Sequence, residues 1–218
     1  MLLAILNTVT MTALSLLLAV PLGVGSAIYL VEYAKRGNRL VELVRLTAET
    51  LSGIPSIVYG LFGYLFFVIA CKMGNSLLSG ILTLTIMILP LIMRTTEEAL
   101  KSVPDAYREG SFGLGAGKLR TVFRIILPSA MPGILSGIIL GIGRIVGETA
   151  ALMFTSGSVA KVAIDPMDSG RTLAVHMYNL LNEGLAREAA YATAVVLLVL
   201  VVGINALSSF VAKKFTKA

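Results

Sequence analysis

Five long uncharged stretches divide this chain, at 1–31, 50–71, 73–93, 125–143 and 189–212, and the polar residues crowd into the intervals between them. A helix needs roughly 20 consecutive apolar residues to cross a hydrocarbon core, so each stretch is a candidate span. Lipid offers the backbone no hydrogen-bond partner, and a helix pairs its amides within its own segment. Runs this long therefore predict helices rather than the alternating strands of a barrel. The pattern places spans near 7–30, 54–71, 76–94, 129–155 and 188–212, with a polar connection at 95–128. Between the first two, 39–51 carries Leu40, Leu43, Val44, Ala48 and Leu51 at helical spacing, and Glu42, Arg45 and Glu49 on another face. That segment predicts a short amphipathic helix, lying at the interface or against the bundle. Gly53 and Pro55 break the helix before the second span.

Composition narrows the class further. With 56% hydrophobic and 14% charged residues in 218, too little polar surface remains for a soluble helical protein. No basic segment precedes the first apolar run, so it is expected to stay as a span rather than be removed as a signal peptide. The single cysteine, Cys71, excludes an intrachain disulfide, and together with the single histidine, His176, it makes no metal cluster. The formal charge of +6 matters through its distribution. Alternate connections hold Lys35, Arg36, Arg39, Arg45, Arg94, Lys101, Arg108, Lys118, Arg120, Arg124, Lys213, Lys214 and Lys217; the opposite ones hold Lys72, Lys161, Arg171 and Arg187. This asymmetry puts the first set on the cytoplasmic side. It identifies membrane topology, not nucleic acid, as the reason for the basic balance.

The 95–128 connection is itself structured. Pro104 is suited to start a helix at Asp105, which places Glu109 in its first turns, and glycines at 110, 113, 115 and 117 end it. Inside the fourth span, Gly143-Arg144-Ile145-Val146-Gly147-Glu148 sets two ionisable groups four residues apart. On a continuous helix they share a face. Each costs about 2.5–3.5 kcal/mol at membrane depth by insertion scales, so they require partners. Either they form a self-neutralising pair that fixes packing, or Arg144 contacts substrate. In the second case its planar fork suits a phosphate-like oxyanion, with Glu148 holding Arg144 between turnovers and accepting from a protonated oxyanion.

Glu109-Gly110-Ser111, then Gly115, then Ile125-x-Leu127-Pro128 after nine further residues, resembles the signature loop of ABC importer permeases, with Gly-Ser where that family has Ala-Ala. The stretches 21–34, 52–63 and 102–116, together with Gly-Arg-Ile-Val-Gly-Glu-Thr-Ala at 143–150, resemble the MetI-like permeases of phosphate importers, PstA-type. This resemblance implies an all-α membrane protein: a five-transmembrane-helix ABC importer permease core with a cytoplasmic coupling helix. It places Pro104, Tyr107, Arg108, Glu109 and Gly115 at the ATPase-coupling surface, and Arg144 and Glu148 on the substrate pathway. The implied partners are a sister phosphate permease of PstC type, an ATP-binding subunit dimer and an extracytoplasmic phosphate-binding protein. ATP and Mg are expected in the partner ATPase and no cofactor in this chain, which lacks a G-x-x-x-x-G-K-S/T loop. Members of the family carry one more N-terminal span, so the chain is expected to open at the equivalent of their second. The alternatives are a permease for phosphonate, sulfate or molybdate, a passive channel, or a membrane-embedded enzyme. For the last there is one histidine and no pair of acids within a span.

Overall fold

The computed structural model describes residues 1–35, 37–163, 165–184 and 186–216, without the side chains of 183 and 211–216. Arg36 and Lys217, and the side chains of Lys213 and Lys214, lie outside the described residues. The described elements are helical throughout. Helix α1, Leu2–Ile28, passes through Pro21 and runs on as a π-helical turn, Tyr29–Tyr33. Helix α2 is Arg39–Ser52, started by the Asn38 side chain, which accepts from the Leu40 amide. Helix α3, Ser56–Gly63, continues as π-helix over Tyr64–Ala70.

Among the described residues, four helical stretches are long and apolar enough to cross a membrane: Leu2–Tyr33, Leu77–Lys101, Lys118–Val146 and Arg187–Phe210. The fifth candidate is not one straight helix. The stretch expected at 54–71 is α3 with its π-helical continuation, Ser56–Ala70, which reaches span length only together with α2, bent by 105° at a short break. Gly53 closes α2, and Pro55 holds the extended backbone before α3.

Helix α4, Leu77–Lys101, is the central post. Ile81, Leu84, Met87, Ile88, Ile92 and Leu100 are fully buried along it, and α1, α2 and α7 pack around it. Beyond it come α5, Asp105–Gly113, and α6, Lys118–Thr121, which passes through a π-helical turn, Val122–Ile126, into α7, Leu127–Val146. One core cluster, with Leu30, Leu100, Val122 and Ile126, lies toward the basic end; a second, with Met11, Leu84, Ile88 and Leu152, fills the rest of the bundle.

The expected fourth span, 129–155, departs from a single helix. Helix α7 stops at Val146, and α8 begins afresh at Ala150 and ends at Thr155. Gly147 caps α7 with its amide on the Gly143 carbonyl, and Thr149 adopts non-helical backbone angles. At the opposite end from the basic loops, the chain after α8 folds back over the bundle. Asn7 donates to the Lys161 and Arg171 carbonyls at 2.9 and 3.1 Å and accepts from the Ala163 amide at 3.2 Å. The Leu77 and Leu78 amides take the Asp168 and Pro166 carbonyls. Helix α9, Leu173–Glu183, carries the buried His176 and precedes the peripheral α10, Arg187–Thr216, whose Leu198, Val202 and Phe210 remain exposed as lipid-facing residues would.

Candidate functional site

Two places in this fold gather the chemistry that the sequence singles out. The first is the break between α7 and α8. The first amides of any helix lack partners within it. Here the Glu148 carboxylate accepts from the Ala151 amide at 3.0 Å and so caps α8. Glu148 is 7% exposed. Arg144, in the last turn of α7, is half-buried. Among the described residues its guanidinium makes no hydrogen bond and no ion pair. The expected contact between Arg144 and Glu148 is therefore absent. The four-residue spacing brings side chains together only on a continuous helix, and Gly147 ends that helix between them.

Tyr59 lies within electrostatic reach of Arg144. Tyr59 is buried in α3 and donates to the Leu51 carbonyl at 2.8 Å, across the bend that separates α2 from α3. Its neighbour Gly60 lies directly on α8: a Cβ added there would sit 2.7 Å from the Ala151 Cα. Three elements thus converge at this depth: the end of α7 with its cation, the capped start of α8, and α3 with a phenol. A guanidinium is an obligate donor and stays charged. Held at this depth with no carboxylate paired to it, it is suited to an anionic ligand carrying several acceptor oxygens.

The second place is the connection after α4. Helix α5 starts at Asp105 behind Pro104, which supplies the extended N-cap backbone. Gly115 has φ +80°, a left-handed turn that suits glycine, and the chain reverses there. The buried Ser111 and Thr121 hydroxyls bond at 2.8 Å and close the loop. Tyr107 and Glu109 face outward, with Phe112, Leu119 and Leu114, the last 91% exposed. Arg108 turns the other way, into the bundle, to Glu32. Of the five residues expected at a coupling surface, Tyr107 and Glu109 lie on the outer face, Pro104 and Gly115 shape the loop, and Arg108 is part of the interior contact.

Tyr59, Glu32 and Leu114 went unremarked in the sequence. Leu114 was open to detection, because an apolar residue among four glycines in a basic loop has nothing local to bury it. Glu32, the sole acid in its apolar neighbourhood, marks the end of a span. Nothing in the local pattern connects Tyr59 with Arg144. Among the described residues, no group of three or more His, Cys, Asp or Glu side chains is placed to hold a metal ion.

Residues 19–217 match the family described as binding-protein-dependent transport system inner membrane component. The chain is 37% identical over 196 residues to the probable ABC transporter permease protein YqgI of Bacillus subtilis, covering 84% of this chain and 66% of the relative. It is 40% identical over 162 residues to the phosphate transport system permease protein PstA 1 of Mycobacterium tuberculosis, covering 74% of this chain and 53% of the relative. The chain thus spans between about half and two thirds of the length of these curated relatives. Its fold superposes on the inward-facing MetNI methionine ABC transporter with a TM-score of 0.74 at 20% identity, covering 96% of this chain and 91% of that one. A multi-pass helical chain with this fold, matched over nearly all its length, belongs to the family of binding-protein-dependent transport system inner membrane components.

Proposed function

We propose that this chain is a permease subunit of an ATP-driven phosphate importer. It forms the translocation path together with a sister permease of PstC type, takes force from an ATP-binding subunit dimer at α5, and receives phosphate from an extracytoplasmic binding protein. It performs no chemistry of its own; ATP and Mg are bound and used by the partner subunits. The observation that carries this proposal is the Arg144 guanidinium, half-buried beside a broken helix with no ion pair among the described residues. The phosphate-permease name of a 40% identical relative and the binding-protein-dependent character of the family support it.

In this mechanism Arg144 offers its fork to the oxyanion as it passes. Glu148 keeps α8 in place and provides an acceptor for the proton that phosphate, unlike sulfate, carries at neutral pH. Closure of the ATPase dimer moves α5, and the bundle alternates between outward- and inward-open arrangements.

The test uses the complete complex in proteoliposomes. Arg144→Gln is expected to abolish ATP-dependent phosphate uptake while the ATPase subunits still co-purify. Glu148→Gln keeps an acceptor for the Ala151 amide and removes the charge, so it is expected to retain assembly and lose preference for phosphate over sulfate. Competition by sulfate, molybdate and phosphonate in the wild type distinguishes the oxyanion classes. Undiminished uptake in Arg144→Gln would remove this residue from the pathway.

A further inference from the structure

Helix α5 packs on α6 and its π-helical continuation. Its firmest polar connection to the spans is made by Arg108. The Nε and Nη2 of Arg108 both donate to Glu32 Oε1, at 3.1 and 2.8 Å. Nη2 also donates to the Leu100 carbonyl at 3.0 Å. Nη1 donates to the Val103 carbonyl at 2.9 Å and to Asp105 Oδ1 at 3.0 Å. One side chain thus engages the end of the first span, the end of α4 and the start of its own helix. Both partners are shielded: the Arg108 and Glu32 side chains are 16% and 8% exposed.

The acceptors are available because helix ends leave carbonyls unpaired. Leu100 lies in the last turn of α4 and Val103 just beyond it, and Glu32 lies in the π-helical turn that ends the first span. From the other side Arg45 of α2 donates to the Leu30 carbonyl in the same turn at 3.2 Å. Arg45 also pairs with Glu97 at 2.7 Å, and Lys101 meets the same carboxylate at 2.6 Å. That second cluster joins α2 to α4 without touching α5.

We infer that Glu32 and Arg108 form the positioning link by which movement of α5 reaches the first span and α4. This rests on the reading of the chain as the permease of an ATP-driven importer. Contact with an ATPase can push α5, but α5 drives the bundle only if something stiff joins them. A planar guanidinium held by acceptors in several directions has little freedom to rotate. A shielded charge pair resists separation, because pulling it apart strands an unpaired charge in a poorly hydrated place. Glu32 is thereby the receiving residue on the first span, and Arg108 the residue that reaches it. The Arg45–Glu97–Lys101 cluster, close by but off α5, serves as the comparison for a pair that only holds structure.

The experiment measures phosphate taken up per ATP hydrolysed, and binding-protein-stimulated over basal ATPase rate, in complete reconstituted complexes of equal subunit content. The variants are Glu32→Gln, Arg108→Gln, the double variant and Glu97→Gln. Glu32→Gln and Arg108→Gln are expected to lower both ratios by about fivefold or more, the low end of coupling between linked sites, with basal ATPase retained. The double variant is expected to be no worse than the more affected single one, because one link is lost once. Glu97→Gln is expected to keep wild-type ratios. Unchanged ratios in Glu32→Gln would overturn the inference, as would effects that multiply in the double variant or an equal fall in Glu97→Gln. If Arg108→Gln does not assemble, Glu32→Gln decides alone, since it preserves shape and acceptor. A wild-type complex that shows stimulated ATPase yet moves no phosphate would refute the assignment of substrate instead, and the ATPase ratio would still decide the link.

Discussion

Gly60→Ala is the smallest change that tests whether the Arg144 site is built by packing between α3 and α8. The added Cβ would lie 2.7 Å from the Ala151 Cα, 3.2 Å from the Phe154 ring and 3.3 Å from the Ala150 carbonyl. Ordinary contact begins near 3.4 Å, so α8 must withdraw by about 0.7 Å. The nearest obstacle is backbone and cannot rotate aside. Overpacking of this kind costs ~1–3 kcal/mol. Replacing glycine by alanine inside a helix returns about 1 kcal/mol. The net expectation is destabilisation of about 1 kcal/mol, modest for the fold. The effect on transport is expected to be larger, because the element that moves carries the amide capped by Glu148 and adjoins Arg144. Gly25→Ala is the control, since no atom beyond its own stretch of helix lies within 4 Å of its added Cβ. Both variants are compared with wild type by thermal midpoint of the solubilised complex and by phosphate uptake at equal incorporation. Gly60→Ala should melt earlier than Gly25→Ala and lose most of its uptake. If the two variants melt and transport alike, α3 does not rest on α8 and the site is not assembled as described.

Leu114→Ala should leave the permease folded, because the side chain is 91% exposed, and should weaken its hold on the ATPase. Burying a leucine at an interface is worth ~1.5–3 kcal/mol, so a loss of about tenfold or more in affinity is expected in a titration of ATPase onto the immobilised permease pair. Asn7→Ala removes three hydrogen bonds that hold the outer connection to α1. At ~0.5–1.5 kcal/mol each, their loss should speed amide exchange and proteolysis within 157–172 while uptake persists. Protection equal to wild type there would show that the remaining contacts, to α4 and to Ser156 among them, hold the segment without Asn7.

Much of the architecture was legible because lipid makes the backbone rule local. Long uncharged runs had to be helices, and the basic residues between alternate runs carry the expectation of which side they face. The start of α5 behind Pro104 and the reversal at Gly115 were equally local, set by a fixed φ and by a turn that glycine accommodates. The break at Gly147 was harder. In so apolar a run, the four-residue spacing of Arg144 and Glu148 reads naturally as one helix, and the pairing derived from it does not form.

By itself, then, the sequence determined the helical class, the long apolar helices up to the bent α2–α3 pair, the position of α5 and the presence of a cation within an apolar run. Tertiary structure alone decided where the side chains of that framework point. Arg108 turns inward to a carboxylate 76 residues away in the chain, Glu148 caps α8 instead of pairing with Arg144, and Tyr59 comes within electrostatic reach of Arg144. Helix formation in lipid depends on each segment's own hydrogen bonds. The Arg108 and Tyr59 placements depend instead on which helix ends the packing of α1, α3, α4 and α7 brings together, and the Glu148 cap depends on the break at Gly147.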